Sequence, residues 1–418
     1  MIMKKIKFYV LTTISTVWCS HITSDKDLLI HEDATLDFFG LASKYGHPPV
    51  QYDVTTDDGY ILSLFRLPGK SRLPILLMHG ILDSADTFLL RGNDSMGITL
   101  ANFGYDVWIG NCRGNRYSRR HIFFDPSKDR IYWDFSFHEM GYYDLPALID
   151  RILNETGSSS LTAIGHSQGT TIFYVLGSTR PEYNSKVNVM ISLAPVCYLH
   201  NTTSPFLKLL INTFPLFNDI LKSLNIHLVE LFGYNSHETI FLRSLCQHPS
   251  ITNHLCLTAI FYQVLGYDPK EFGPDFFHVF IHHLPSGTSI KDVLHYTQVE
   301  NSRQFQWYDY GSDKNIIAYN STVPPVYDLS KVTMPVALIA AKNDPLSTLA
   351  NVDVLRRQLA NVVYYFVNPR RRFNHGDHVW ARNMKVNSIP NVMHVLSKYN
   401  SPDHNLSQSS ATDNKEKF

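Results

Sequence analysis

The stretch Gly165-His166-Ser167-Gln168-Gly169 follows the apolar run Leu161–Ile164 and precedes the helical run Thr170–Gly177. A Gly-x-Ser-x-Gly between a strand and a helix sets the serine on a tight, strained turn with its hydroxyl lifted toward a substrate. Side chains two positions either side would collide there, which accounts for the glycines. The helix N-terminus beneath the turn favours a developing negative charge. The chemistry this suits is acyl transfer. A serine hydroxyl needs a base to take its proton, and the base needs an acid to orient it. In this setting the chain order is Ser, then Asp or Glu, then His, with the acid just past a later strand. Asp344 follows the run Pro335–Ala341 through Lys342-Asn343, and His375 follows the run Val362–Val367. Asp353 falls inside a predicted helix, and Asp377 and His378 read as supporting groups. The oxyanion would take the backbone N–H of Gln168 and that of Ile81, which follows Pro74–Met78 and His79-Gly80. A plain strand-ending turn is the alternative for His79-Gly80, and the oxyanion reading is favoured because this loop falls where the fold requires it.

These residues need a scaffold. Val50–Leu67 predicts two strands joined through Asp57-Asp58-Gly59, since Asp-Gly between alternating runs marks a hairpin. Six apolar runs have the length of buried strands in a mostly parallel sheet: Pro74–Met78, Tyr105–Ile109, Leu161–Ile164, Val187–Leu193, Pro335–Ala341 and Val362–Val367. Asp144 is placed to cap a helix through Leu153, with Gly157 ending it. Strands alternating with helices predict an α/β fold. The alternation breaks between Pro195 and Pro335. Helical patterning there (Phe206, Leu207, Leu209, Leu210, Phe214, Leu216) predicts a helical insertion over one edge of the sheet. Core segments 21–195 and 331–400 then flank an insertion at 196–330.

Composition narrows the function. With 418 residues, 44% hydrophobic and 18% charged, the chain can bury a large core. Lys+Arg and Asp+Glu both number 37, so no basic footprint for nucleic acid exists at the whole-chain level. No zinc spacing and no Gly-rich phosphate loop stands out, so neither a metal nor a cofactor is expected. Residues 1–20 combine basic Lys4, Lys5 and Lys7 with an apolar run, Phe8–Val17, too short to span a bilayer. That is the layout of a signal peptide cleaved near Cys19 or Ser20. No later stretch is apolar enough for a span, and 401–418 is polar enough to predict a disordered tail.

Secretion makes Cys112, Cys197, Cys246 and Cys256 candidates for pairing. Cys246 and Cys256 could close a small loop or remain two buried thiols. Cys112 and Cys197 follow strands with two others between them. They should lie about 14 Å apart, beyond disulfide reach. Asn93, Asn154, Asn201, Asn320 and Asn405 begin Asn-x-Ser/Thr triplets and are glycosylation candidates.

At this point the sequence resembles the acid lipase family, the group containing gastric and lysosomal acid lipase, and its insect members in particular. The matching stretches are His79-Gly80-Ile81-Leu82, Gly104 to Trp108, Asn111 to Asn115, Tyr117 to His121, Phe135 to Met140 and Tyr143 to Ala147, then Gly165 to Thr171 and Asn374 to Asp377. They span nearly the whole mature chain. The resemblance implies an α/β-hydrolase fold with a mostly parallel central sheet and a helical cap and lid. It implies hydrolysis of triacylglycerols or sterol esters at a lipid–water interface, by an enzyme that is secreted or lysosomal. Carried over by position, Ser167 matches the nucleophile, Asp344 the acid, His375 the base, and Ile81 and Gln168 the oxyanion positions. A cap disulfide is a family habit, which favours pairing Cys246 with Cys256. The chain departs from the pattern at Lys342, where the family has Gly, in the residues after Asp344, and at Gly376, where it has Leu. None of these removes a catalytic group. They bear on how the acid loop is positioned. Two other functions remain open at this level: a carboxylesterase for smaller esters, and a catalytically silent lipid-binding relative. Intact Ser167, Asp344 and His375 argue against the second.

Overall fold

The computed structural model describes residues 31–71, 73–247 and 251–400, the side chains at 251–253 excepted. The expected signal peptide, the polar tail and Asn405 lie outside the described residues. The chain forms strands β1 (Val50–Thr55), β2 (Tyr60–Leu67), β3 (Ile75–Met78), β4 (Val107–Gly110), β5 (Arg120–His121), β6 (Leu161–His166), β7 (Val187–Leu193), β8 (Glu230–Leu231), β9 (Thr288–Ser289), β10 (Val336–Ala340) and β11 (Val362–Val367). The main sheet runs β1-β2-β4-β3-β6-β7-β10-β11, and β5 pairs with β2. Pairing is antiparallel from β1 to β4 and parallel from β4 to β11. Every predicted strand is present, with ends within two residues of the sequence reading.

The central strands are apolar on both faces because helices cover both faces. β3, β4, β6 and β10 are buried along their length. β11 is only half-buried, contrary to its reading as a fully buried strand, because it lies at the edge of the sheet. The β1–β2 turn closes as expected, with Gly59 at φ 95° and its N–H on Thr56 O at 3.0 Å.

Asp144 does not cap a helix. It lies inside continuous helical backbone at φ −66° and ψ −51°. The helix begins earlier, at Ser136, whose hydroxyl and the Glu139 carboxylate form a reciprocal capping box. A π-turn, Met140–Asp144, joins this start to the helix Leu145–Thr156, which ends at left-handed Gly157. Asp144 is recruited by Arg113, a fully buried guanidinium held between Asp144 and Asp58. A buried cation needs such partners, and that requirement outweighs capping.

Between β7 and β10 the chain forms the helices Pro205–Ser223, His237–Cys246, Ile251–Cys256, Pro274–His283, Ile290–Ser302 and Ser312–Tyr319, among shorter turns. Bonds from this stretch reach Leu82 after β3, Pro345 after β10 and His375 after β11. It thus meets carboxyl ends of strands rather than one lateral edge. Cys246 and Cys256 are bridged with Cα atoms 5.7 Å apart, while Cys112 and Cys197 are free and buried, as strand order requires. Closing this loop restricts the unfolded chain, so Cys246→Ala/Cys256→Ala should lose about 3 kcal/mol of stability in guanidinium unfolding. Among the described residues no helix is long and apolar enough to cross a membrane. Asn93, Asn154 and Asn320 are exposed and Asn201 is half-buried.

Candidate active site

Ser167 sits between β6 and the helix Gln168–Thr179 at φ 53° and ψ −119°. That conformation is costly for a residue with a Cβ, and it persists because the surroundings fix it. The N–H of Ser167 donates to Leu193 O on the neighbouring strand at 3.1 Å. A Cβ at Gly165 would lie 2.5 Å from Gly169 O, and one at Gly169 would lie 2.2 Å from Met78 O. Both obstacles are backbone atoms that cannot turn aside. Gly169→Ala should therefore cost about 3 kcal/mol through overpacking, measured as a lowered midpoint of urea unfolding.

His375 bridges the two other predicted residues. Its Nε2 lies 2.9 Å from Ser167 Oγ, and its Nδ1 lies 2.8 Å from Asp344 Oδ2. All three residues are buried. Asp344 is held by the turn that follows it: its Oδ1 accepts the N–H groups of Leu346 and Ser347 at 2.9 and 2.8 Å. The Ser347 hydroxyl donates to Pro195 O, tying that turn to the end of β7. Asn343 joins the acid loop to the base loop through Arg372 O and Phe373 O. Lys342, which departs from the family pattern, is exposed.

The rivals go elsewhere. Asp353 pairs with Arg356 and Arg357 on its own helix. Asp377 accepts the Asn374 N–H, and burial pushes its carboxyl well above the usual range. His378 is fully buried and, driven by that burial, held well below the ordinary histidine range. His166 donates its Nε2–H to the His375 carbonyl, 2.9 Å away, and burial lowers the ring to about 3.

The loop after β3 passes against the serine. A Cβ at Gly80 would lie 3.3 Å from Ser167 Cβ, so the main chain leading into Ile81 runs beside the hydroxyl. Gln168 opens the helix, and a first-turn N–H has no partner within its own helix. His79 ties this loop to the stretch after β4. Its Nε2 meets Cys112 N–H and the Asn115 amide at 3.1 Å each, and burial lowers the ring to about 4. Asn111 accepts the Ala85 N–H at 3.0 Å. The motif Asn111 to Asn115 therefore buttresses this loop, a task its sequence alone did not disclose.

The chain is similar to known proteins over most of its length. A family model described as alpha/beta hydrolase fold matches residues 74–379, and one described as partial alpha/beta-hydrolase lipase region matches 40–92. The chain is 38% identical to Lipase 1 of Drosophila melanogaster, over 88% of this chain and 81% of that one. It is 36% identical to gastric triacylglycerol lipase of Bos taurus, covering 84% of this chain and 88% of the relative. Identity to lipase member K of Homo sapiens is 35%, covering 88% and 92%. The chain belongs to the α/β-hydrolase family, within the group that includes these lipases.

Proposed function

We propose that the protein is a serine lipase that hydrolyses ester bonds of triacylglycerols or sterol esters through an acyl-enzyme. The observation that carries this reading is the pair of His375 contacts, one to Ser167 and one to Asp344. Ser167 Oγ attacks the ester carbonyl while His375 Nε2 takes its proton. Asp344 holds the ring with Nδ1 protonated and stabilises the imidazolium that forms. The N–H groups of Ile81 and Gln168 receive the oxyanion. His375 then returns the proton to the leaving alcohol, and water repeats the sequence to release the fatty acid.

Residues 196–330 act as cap and lid over a core formed by 21–195 and 331–400. Two features support a lipid substrate over a small ester. Ser167 is only 7% exposed, so access requires movement of covering segments. The helix Pro205–Ser223 exposes Leu209, Leu216 and Phe217, an apolar surface suited to a lipid interface. Secretion or lysosomal delivery, with glycans at Asn93, Asn154 and Asn320, completes the reading. The test is a panel of long- and short-chain esters, each assayed below and above its solubility limit. Turnover that rises on emulsion formation with long chains supports the lipase. Preference for short soluble esters without that rise would make it a carboxylesterase.

A further inference from the structure

Both ring nitrogens of His283 face acceptors. His283 ends the helix Pro274–His283 and is 1% exposed. Its Nδ1 lies 2.8 Å from Asp86 Oδ2, and its Nε2 lies 2.7 Å from the main-chain oxygen of Asp33. A carbonyl oxygen only accepts, as does an ionised carboxylate, and a neutral imidazole has a single N–H. Asp86 is held ionised. Burial pushes its carboxyl upward, but the His283 bond, the charges of His283 and Arg116, and the Tyr117 hydroxyl leave it below its usual range. Arg116 Nη1 lies 2.8 Å from Asp86 Oδ2, and the Tyr117 hydroxyl donates to Oδ1 at 2.7 Å. Only the imidazolium gives each of the two facing oxygens a proton.

The contacts converge on the loop that carries the proposed oxyanion donor. Asp86 belongs to the turn Ala85–Phe88, shortly after Ile81. Three residues beyond His283, the Ser286 N–H donates to Leu82 O at 2.7 Å. Leu82 is left-handed at φ 58° and turns the chain directly after Ile81. One short segment, His283 to Ser286, thus grips this loop at Leu82 and at Asp86. Asn111 and Asn115 hold it from the opposite side.

We propose that His283 is a positioning residue: as a protonated clasp between the helix Pro274–His283 and the loop 82–86, it holds the Ile81 N–H in place for the oxyanion. The inference rests on the serine-hydrolase reading given above. When the ring loses a proton to water, one nitrogen lone pair is left facing an oxygen, and that bond becomes a repulsion. The charged or titratable neighbours are Asp86 and Arg116 across the contact, Tyr117 behind Asp86, and His282 and Arg243 on the flank.

The experiment compares wild type, His283→Gln and Ser167→Ala on a water-soluble p-nitrophenyl ester, with a thermal melt of each. Arg116 and Tyr117 still satisfy Asp86 in the glutamine variant, which favours a folded product. Its kcat should fall at least about tenfold, because an oxyanion donor displaced by a fraction of an ångström is penalised in the transition state. KM should hold within about twofold. A wild-type kcat in His283→Gln would overturn the clasp. If Ser167→Ala is inert in the same assay, the serine reading survives that result; if it turns over, that reading itself fails. A second measurement does not depend on the variant's activity. Imidazole-15N spectra of wild type, assigned by difference with His283→Gln, should show a doubly protonated ring in the folded protein, since both nitrogens face acceptors. A singly protonated ring there contradicts the inference.

Discussion

Ser167→Ala should abolish ester hydrolysis and leave the fold intact. Loss of a nucleophile in such a site costs on the order of 10⁶ in kcat, with a residue supplied by the oxyanion donors and substrate binding. The substitution keeps the Cβ that packs near Gly80 and keeps the backbone strain at φ 53°. It removes one hydroxyl, bonded to His375 at 2.9 Å. The melting temperature should therefore stay within a few degrees of wild type. Turnover near wild type in the alanine variant would remove Ser167 from the mechanism.

Asp344→Asn should cost about 10⁴ in turnover, and the reason is a tautomer. Asp344 Oδ1 accepts the Leu346 and Ser347 N–H groups, so the asparagine oxygen must occupy that side. Its NH₂ then faces His375 Nδ1. The ring must accept there and carry its proton on Nε2, where it can no longer take one from Ser167. Asp353→Asn should change little, because that carboxylate pairs only with exposed arginines of its own helix. Asp377→Asn should fall between them: its Oδ2 holds the Asn374 N–H, and an amide oxygen can still accept that bond. Emulsion turnover and thermal melting of all three decide the assignment. If Asp344→Asn stays active while one of the others collapses with an unchanged melt, the acid lies elsewhere.

The sequence carried the sheet and the three side chains proposed to react because both rest on short-range patterns. Val187–Leu193 and Val362–Val367 are strands to the residue, each a mostly apolar run of strand length. Asp344 and His375 stand just beyond two such runs, where an open α/β sheet gathers its working residues. What sequence did not show depends on pairings far apart in the chain. Asp144 looked like a cap because the buried Arg113 that claims it is 31 residues earlier. The capping box at Ser136 and Glu139 is by contrast a local signal, a Ser-x-x-Glu just before an apolar helical run. His283 lies 197 residues from Asp86 and 250 from Asp33, and no local pattern links such groups. Leu82 gives no composition signal for its left-handed backbone; Ser286 and the surrounding loop impose it.

The most direct test of the central claim is covalent trapping. The intact protein is treated with a fluorophosphonate ester, digested, and mapped by mass spectrometry. Attack by Ser167 Oγ on phosphorus expels fluoride and leaves one phosphonyl group on the peptide that contains Gly165-His166-Ser167-Gln168-Gly169. The adduct should form stoichiometrically with loss of esterase activity, and should be absent in Ser167→Ala. An active enzyme that resists the reagent, or one inactivated by an adduct on another serine, would contradict the assignment of Ser167 as the nucleophile.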